Sequence, residues 1–191
     1  MTPMLGILAS QITGHLSTNS YESIATVTVG SGGQSSISFS SIPSTYKHLQ
    51  IRGIVACTVS GTDANSITVS VNSDTTPSNY YYHWLYGNGS AAGAIGLNTY
   101  GGYTTQGVAS KTGSTNMFGA LVIDILDYAN TSKNKTFRGL SGTDMNNTNG
   151  QVGLTSGLWM NTTAINSLSI NVTYAGNLAQ YSSFALYGVQ G

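Results

Sequence analysis

Charge is what this chain has least of. Only 6% of its 191 residues are Asp, Glu, Lys or Arg, against roughly a quarter in ordinary soluble proteins. Six basic and six acidic side chains cancel, so no basic patch marks a nucleic-acid or anionic-membrane partner, and neither is expected. The surface must be dressed in Ser, Thr, Asn, Gln and Gly, without the like-charge repulsion that keeps free monomers apart. Such a subunit reads as one made to be packed beside others. Cys57 is the single cysteine, which excludes an intramolecular disulfide framework and any multi-cysteine zinc site. Long apolar runs are missing too: the first, residues 4–9, is far too short to span a bilayer. No basic residues precede it, as a signal peptide requires, so synthesis in the cytoplasm without export is expected.

A composition rich in Gly, Ser, Thr and Asn invites disorder, but 12 Tyr and recurrent Ile and Val argue for a packed core. The dominant pattern is alternation at period 2, in short runs bounded by turn clusters such as GSGG, SGTDAN, NSDTTPSN and GTDMNNTNG. SIATVTVG sets Ala25, Val27 and Val29 on one face; SSISFSSIP sets Ile37 and Phe39 together and ends at Pro43. HLQIRGIVACTV is the longest clean run, with Cys57 on the face of Leu49, Ile51, Val55 and Val59. NSITVSVN, AINSLSINVTY and SSFALYGVQ repeat the theme. No run of helical period with caps competes with them. The expected fold is all-β, a two-sheet antiparallel sandwich of jelly-roll type in preference to a closed barrel, over residues 20–191, preceded by a short extended N-terminal arm, residues 1–19.

FGALVIDILDYANTSKNKTFRGL places Asp124 and Asp127 in an apolar run. Residues at odd spacing on a strand face opposite ways, so these two do not form an acid/base dyad without a bulge. Leu121, Ile123 and Ile125 share one face, while Val122 and Leu126 share the other with Asp124, the mark of a central strand or of one lying against a neighbouring subunit. YANTSKNK then reads as a polar connection into a hairpin, with Asp124 or Asp127 bonded to loop N–H groups or paired with Lys133, Lys135 or Arg138.

Chemistry-bearing motifs are missing. His15, His48 and His83 fall in no metal-ligating spacing, and there is no GxSxG, phosphate loop or dinucleotide fingerprint. No catalytic residue, metal or cofactor is expected, and the chain reads as no enzyme. Two features stand apart. NYYYHWLYGNGS, as a strand, sets Tyr80, Tyr82 and Trp84 on one face and Tyr81, His83 and Leu85 on the other, with Tyr86 following. It is either a ring platform for a sugar or protein partner, or a core strand with its second ring set along a subunit contact. The arm carries an apolar tip, Met4, Leu5, Ile7 and Leu8, on a polar lead, and reads as an anchor to its own domain or to a partner.

The segments YESIATVTVGSGG, SSISFSSIPSTYKHLQIRG, FGALVIDILDYANTSKNKTFRGLSG, GLTSGLWMNTTAINSLSI and QYSSFALYGV, in this order, resemble a family of small β-sandwich virion proteins of tailed bacteriophages, notably those of marine bacteria and cyanobacteria. MLGILASQ is similar to the short lead of that family. The resemblance implies a non-enzymatic structural protein on the particle surface, made in the host cytoplasm. Its leading form is a capsid decoration or cement protein, a homotrimer in contact with the major capsid protein or another virion protein. The alternative it implies is a tail-fibre or receptor-binding tip that recognises a host surface glycan.

Overall fold

The computed structural model describes residues 20–59, 64–97, 100–110, 117–144, 150–174 and 176–191. The arm and its apolar tip, Met4, Leu5, Ile7 and Leu8, lie outside the described residues. Twelve strands follow in order: β1 (Tyr21–Thr28), β2 (Ser36–Phe39), β3 (His48–Cys57), β4 (Ala64–Val71), β5 (Tyr80–Gly87), β6 (Ala92–Leu97), β7 (Tyr103–Ser110), β8 (Gly119–Leu126), β9 (Lys135–Asp144), β10 (Gly150–Trp159), β11 (Leu168–Val172) and β12 (Ser183–Val189). One 3-10 turn, Pro77–Asn79, leads into β5. The fold is all-β and overwhelmingly antiparallel.

Hydrogen bonding does not divide these strands into two separate sheets, as the alternation pattern led one to expect. They form one mixed sheet in the order β2-β11-β4-β7-β3-β8-β9-β10-β5-β6, with β12 on the other edge of β3 and β1 beyond it. The reason is the length of β3. Its pairing with β8 ends at Val55 opposite Gly119, and the next two residues, Ala56 and Cys57, pair in parallel with Ala109 and Ser110 of β7. One strand thus serves two ladders. The second strand also stops sooner than its pattern suggested: β2 ends at Phe39, because Ser41 takes a left-handed conformation (φ 54°) that no strand continues.

The core follows the alternation. Leu49, Ile51, Val55 and Cys57 of β3, Ile67, Val69 and Val71 of β4, Leu121, Ile123 and Ile125 of β8, and Phe184 and Leu186 of β12 are all buried together. The middle of the molecule is different in kind. Where β7 crosses β9 and β10, the Tyr103 ring stacks on Phe137 with centroids 5.1 Å apart. Thr105 shares hydroxyl hydrogen bonds with Ser141 (3.2 Å) and Thr155 (3.3 Å). Glycines make the room: a Cβ at Gly139 or Gly157 would overlap Tyr103. A well-packed site of this kind does not absorb an extra methyl without shifting rings or backbone.

Gly157→Ala is therefore expected to cost about 2 kcal/mol and to lower Tm by roughly 4–8 °C. Gly30→Ala, where a Cβ meets nothing within 4 Å, should change stability by less than about 0.5 kcal/mol. Thermal unfolding of the two variants against wild type checks both.

Candidate functional site

Asp124, Asp127 and Asp74 are held as hydrogen-bond acceptors. On β8, Asp124 accepts from Gln50 Nε2 at 2.8 Å and from Arg138 Nη2 at 2.7 Å, and Gln50 Oε1 in turn accepts from Arg52 Nε at 2.7 Å. Arg52 itself lies between the Tyr21 and Tyr187 rings, 5.3 and 5.0 Å from their centroids. Asp127 follows the end of β8 in a left-handed conformation (φ 50°) that a short polar side chain tolerates. The Lys133 ammonium, at 3.3 Å, is the main reason its pKa is lowered, with Lys47 adding its charge. The two residues use different partners, in keeping with their odd spacing. Lys135 is buried, its Nζ donating to the carbonyls of Asn130, Lys133 and Thr162, and burial pushes its pKa down.

Asp74 accepts several hydrogen bonds at once. It accepts from Trp159 Nε1 (2.8 Å), Asn79 Nδ2 (2.8 Å) and the Thr76 N–H (3.0 Å), and its carbonyl accepts from the Tyr80 hydroxyl (2.9 Å). Burial pushes its pKa up, but the hydrogen bonds, led by that from Trp159, outweigh this and hold it at about 2. The contact locks the turn before β5 onto the end of β10. Among the described residues no three His, Cys, Asp or Glu side chains come together to hold a metal ion.

The aromatic strand splits as its period dictates. Tyr80, Tyr82 and Trp84 are buried, so those three rings offer a partner no open platform. Tyr86 is half-buried and stacks on Trp84 with centroids 4.2 Å apart. Tyr81 and His83 point the other way and are exposed, alongside Leu85.

That opposite side belongs to a larger surface. Beyond Phe137 on β9 and before Trp159 on β10 the usual arrangement is inverted: the inward positions are small or polar (Gly139, Ser141, Gly153, Thr155, Gly157), because the rings of Tyr103 and Trp84 fill the space above them. The larger aliphatics, Leu140, Val152 and Leu154, face outward. Register lines them up with their neighbours. Val122, Leu140, Leu154 and Leu85 form one continuous row across β8, β9, β10 and β5, flanked by Ile54 and Val152 in the next. All six are between 37% and 58% exposed. On the other flank runs a polar row, Gln50, Asp124, Arg138, Ser156 and His83, whose opposite charges are already paired. An apolar field with a polar border is the arrangement a contact surface requires. Completing the burial of each aliphatic would contribute roughly 1 kcal/mol.

The period-2 pattern places Tyr81, His83 and Leu85 on one face of their strand and Val122 on the Asp124 face of its own, but does not reach Leu140, Val152 or Leu154. The available signal was the flanking glycines in RGLSG and VGLTSG, which mark the face of the strand that is crowded from within. Compared with known proteins, the chain matches no family model, no curated protein and no solved structure.

The low pKa of Asp74 carries a pH signature. A carboxylate whose folded pKa lies below its unfolded value of about 3.9 contributes stability above that value and loses it as pH falls through the folded one. Asp74→Asn is expected to lose about 1–2 kcal/mol at pH 7, allowing for partial solvent access. The gap to wild type should narrow as pH falls from about 4 towards 2. Urea unfolding across that range measures it, and a gap independent of pH would show that the charge is not what matters.

Proposed function

We propose that the chain is a non-enzymatic structural subunit on the surface of a tailed-phage virion, a decoration protein that cements the head lattice. The observation that carries this reading is the outward apolar field on β3, β8, β9, β10 and β5, borne by a chain of no net charge. A free monomer would keep about half of each of six aliphatic side chains in water, and burying them against other subunits is the physical reason to assemble. Copies that bind only the assembled shell stabilise it by mass action. The resemblance of several segments to phage virion proteins supplies the kind of assembly, with the major capsid protein and sister subunits as partners and the virion as location. We read the two ladders as the layers of a jelly-roll-type sandwich, a reading supported by β7 lying across β9 and β10 through Tyr103, Thr105 and Phe137.

A fibre tip that binds host glycan is less well served. Of the six residues in its expected platform, Tyr80, Tyr82 and Trp84 are buried, which leaves mainly Tyr81 and His83 for a sugar to meet.

Quantitative mass spectrometry of purified particles that carry this chain separates the two. A copy number close to that of the major capsid protein is expected of a cement protein. A copy number of a few per cent of it would overturn that assignment in favour of a tail or fibre component.

A further inference from the structure

We infer that the apolar face is a self-association surface, and that its occupant is the same face of a second copy, packed about a twofold axis running along the strands between β9 and β10. This rests on reading the face as an assembly surface and names what covers it.

The register makes the face complementary to itself. Six strands lie side by side in the order β3, β8, β9, β10, β5, β6. A twofold axis between β9 and β10 exchanges β9 with β10, β8 with β5, and β3 with β6. In the central row, Leu140 then meets Leu154 of the second copy and Val122 meets its Leu85. In the neighbouring row bulky residues fall on small ones: Val152 lies over Gly142 of the second copy, and Ile54 over its Ala92. Gly87, Ala120 and Gly142 line an open hollow beside Val152, the recess such a knob needs. In the polar row Asp124 comes opposite His83, and Arg138 opposite Ser156, so no like charges meet.

The other axis in the plane of the face, running across the strands through the Leu140 row, fails on charge. It would set Arg52 against its own counterpart, bringing like charges together, and lay the Asp124–Arg138 pair over Ala120 and Gly142, which offer it no polar group. The size also suffices. Six strands at about 4.8 Å spacing and three rows of outward residues give a footprint of roughly 500 Å² on each copy. That is about 1,000 Å² in total, where specific interfaces begin. Identical copies with no net charge approach without electrostatic penalty.

Sedimentation velocity on the purified chain at tens of micromolar tests this. Wild type is expected to be dimeric, and Leu140→Lys and Leu154→Lys each monomeric. Both positions face solvent in the single chain, so unchanged thermal midpoints at low concentration should show the variants folded. A second variant removes any dependence on those lysines. Val122→Cys with Leu85→Cys places two thiols three strands apart, too far for a disulfide within one chain, but opposite each other across the axis. Facing sheets stand about 10 Å apart, beyond the reach of a disulfide. A short bis-maleimide that bridges that gap but not the roughly 14 Å across three strands should therefore give a covalent dimer from the double variant and none from either single one. A monomeric wild type, a dimer that both lysine variants leave intact, or a double variant that does not cross-link would each overturn the inference. A monomer in solution combined with a copy number near that of the capsid protein would overturn self-association alone and leave the virion reading standing.

Discussion

Everything in this fold depends on β3 having more hydrogen-bonding length than either neighbour on one edge can use. β8 takes that edge from Leu49 to Val55, and β7 takes the two residues beyond it. The opposite edge is filled by β12 and then by the backbone around Leu178, where the Thr58 N–H donates to Asn177 and the Ala179 N–H donates to Ala56. A strand paired on both edges along its whole length leaves no backbone group unsatisfied, which is the condition for burying it. Its side chains divide accordingly: Leu49, Ile51, Val55 and Cys57 join the core, while Arg52 and Ile54 start the rows of the outer face. Gly53 is needed between them, since a Cβ there would press on Phe184 and Leu121 at 3.0–3.1 Å.

The second constraint is the scarcity of charge, and the molecule meets it by building its interior joints from hydroxyls and rings. Thr68, Thr104 and Thr173 share one hydroxyl cluster, and Thr105, Ser141 and Thr155 another. Neutral hydrogen bonds of this sort satisfy buried polar groups without the desolvation cost of ions. The consequence reaches the surface. Because β9 and β10 turn their small and polar residues inward to accommodate Tyr103 and Thr105, their leucines and valine are left facing out. The interior of this protein and its exposed apolar field have one cause.

Much of the scaffold was legible from alternation alone. β3, β4, β11 and β12 carry clean period-2 patterns, and their apolar faces are buried as the patterns imply. That Asp124 or Asp127 would bond loop N–H groups or pair with one of Lys133, Lys135 and Arg138 was legible from local spacing; that Asp124 takes Arg138 and Asp127 takes Lys133 was not. β6 and β7 were not legible: AGAIGL and YTTQGVAS hold too few large apolar residues to alternate, and their strand character comes from neighbours that pair with them. The parallel contact of β3 with β7 is a property of chain packing with no local signature. Nor could the side of β9 and β10 that faces water be read, since Leu140 and Leu154 look like core residues until Tyr103 is seen to occupy the space on the other side.

On our proposal the outward face of β8, β9, β10 and β5 is covered by a second copy when the protein works. Hydroxyl-radical footprinting of the purified chain over a hundredfold range of concentration addresses it directly, with Tyr181, 64% exposed, as internal reference. Labelling of Leu85, Leu140 and Leu154 should fall as concentration rises while that of Tyr181 stays constant. Labelling of all four that is the same at every concentration would contradict a face built for a second copy.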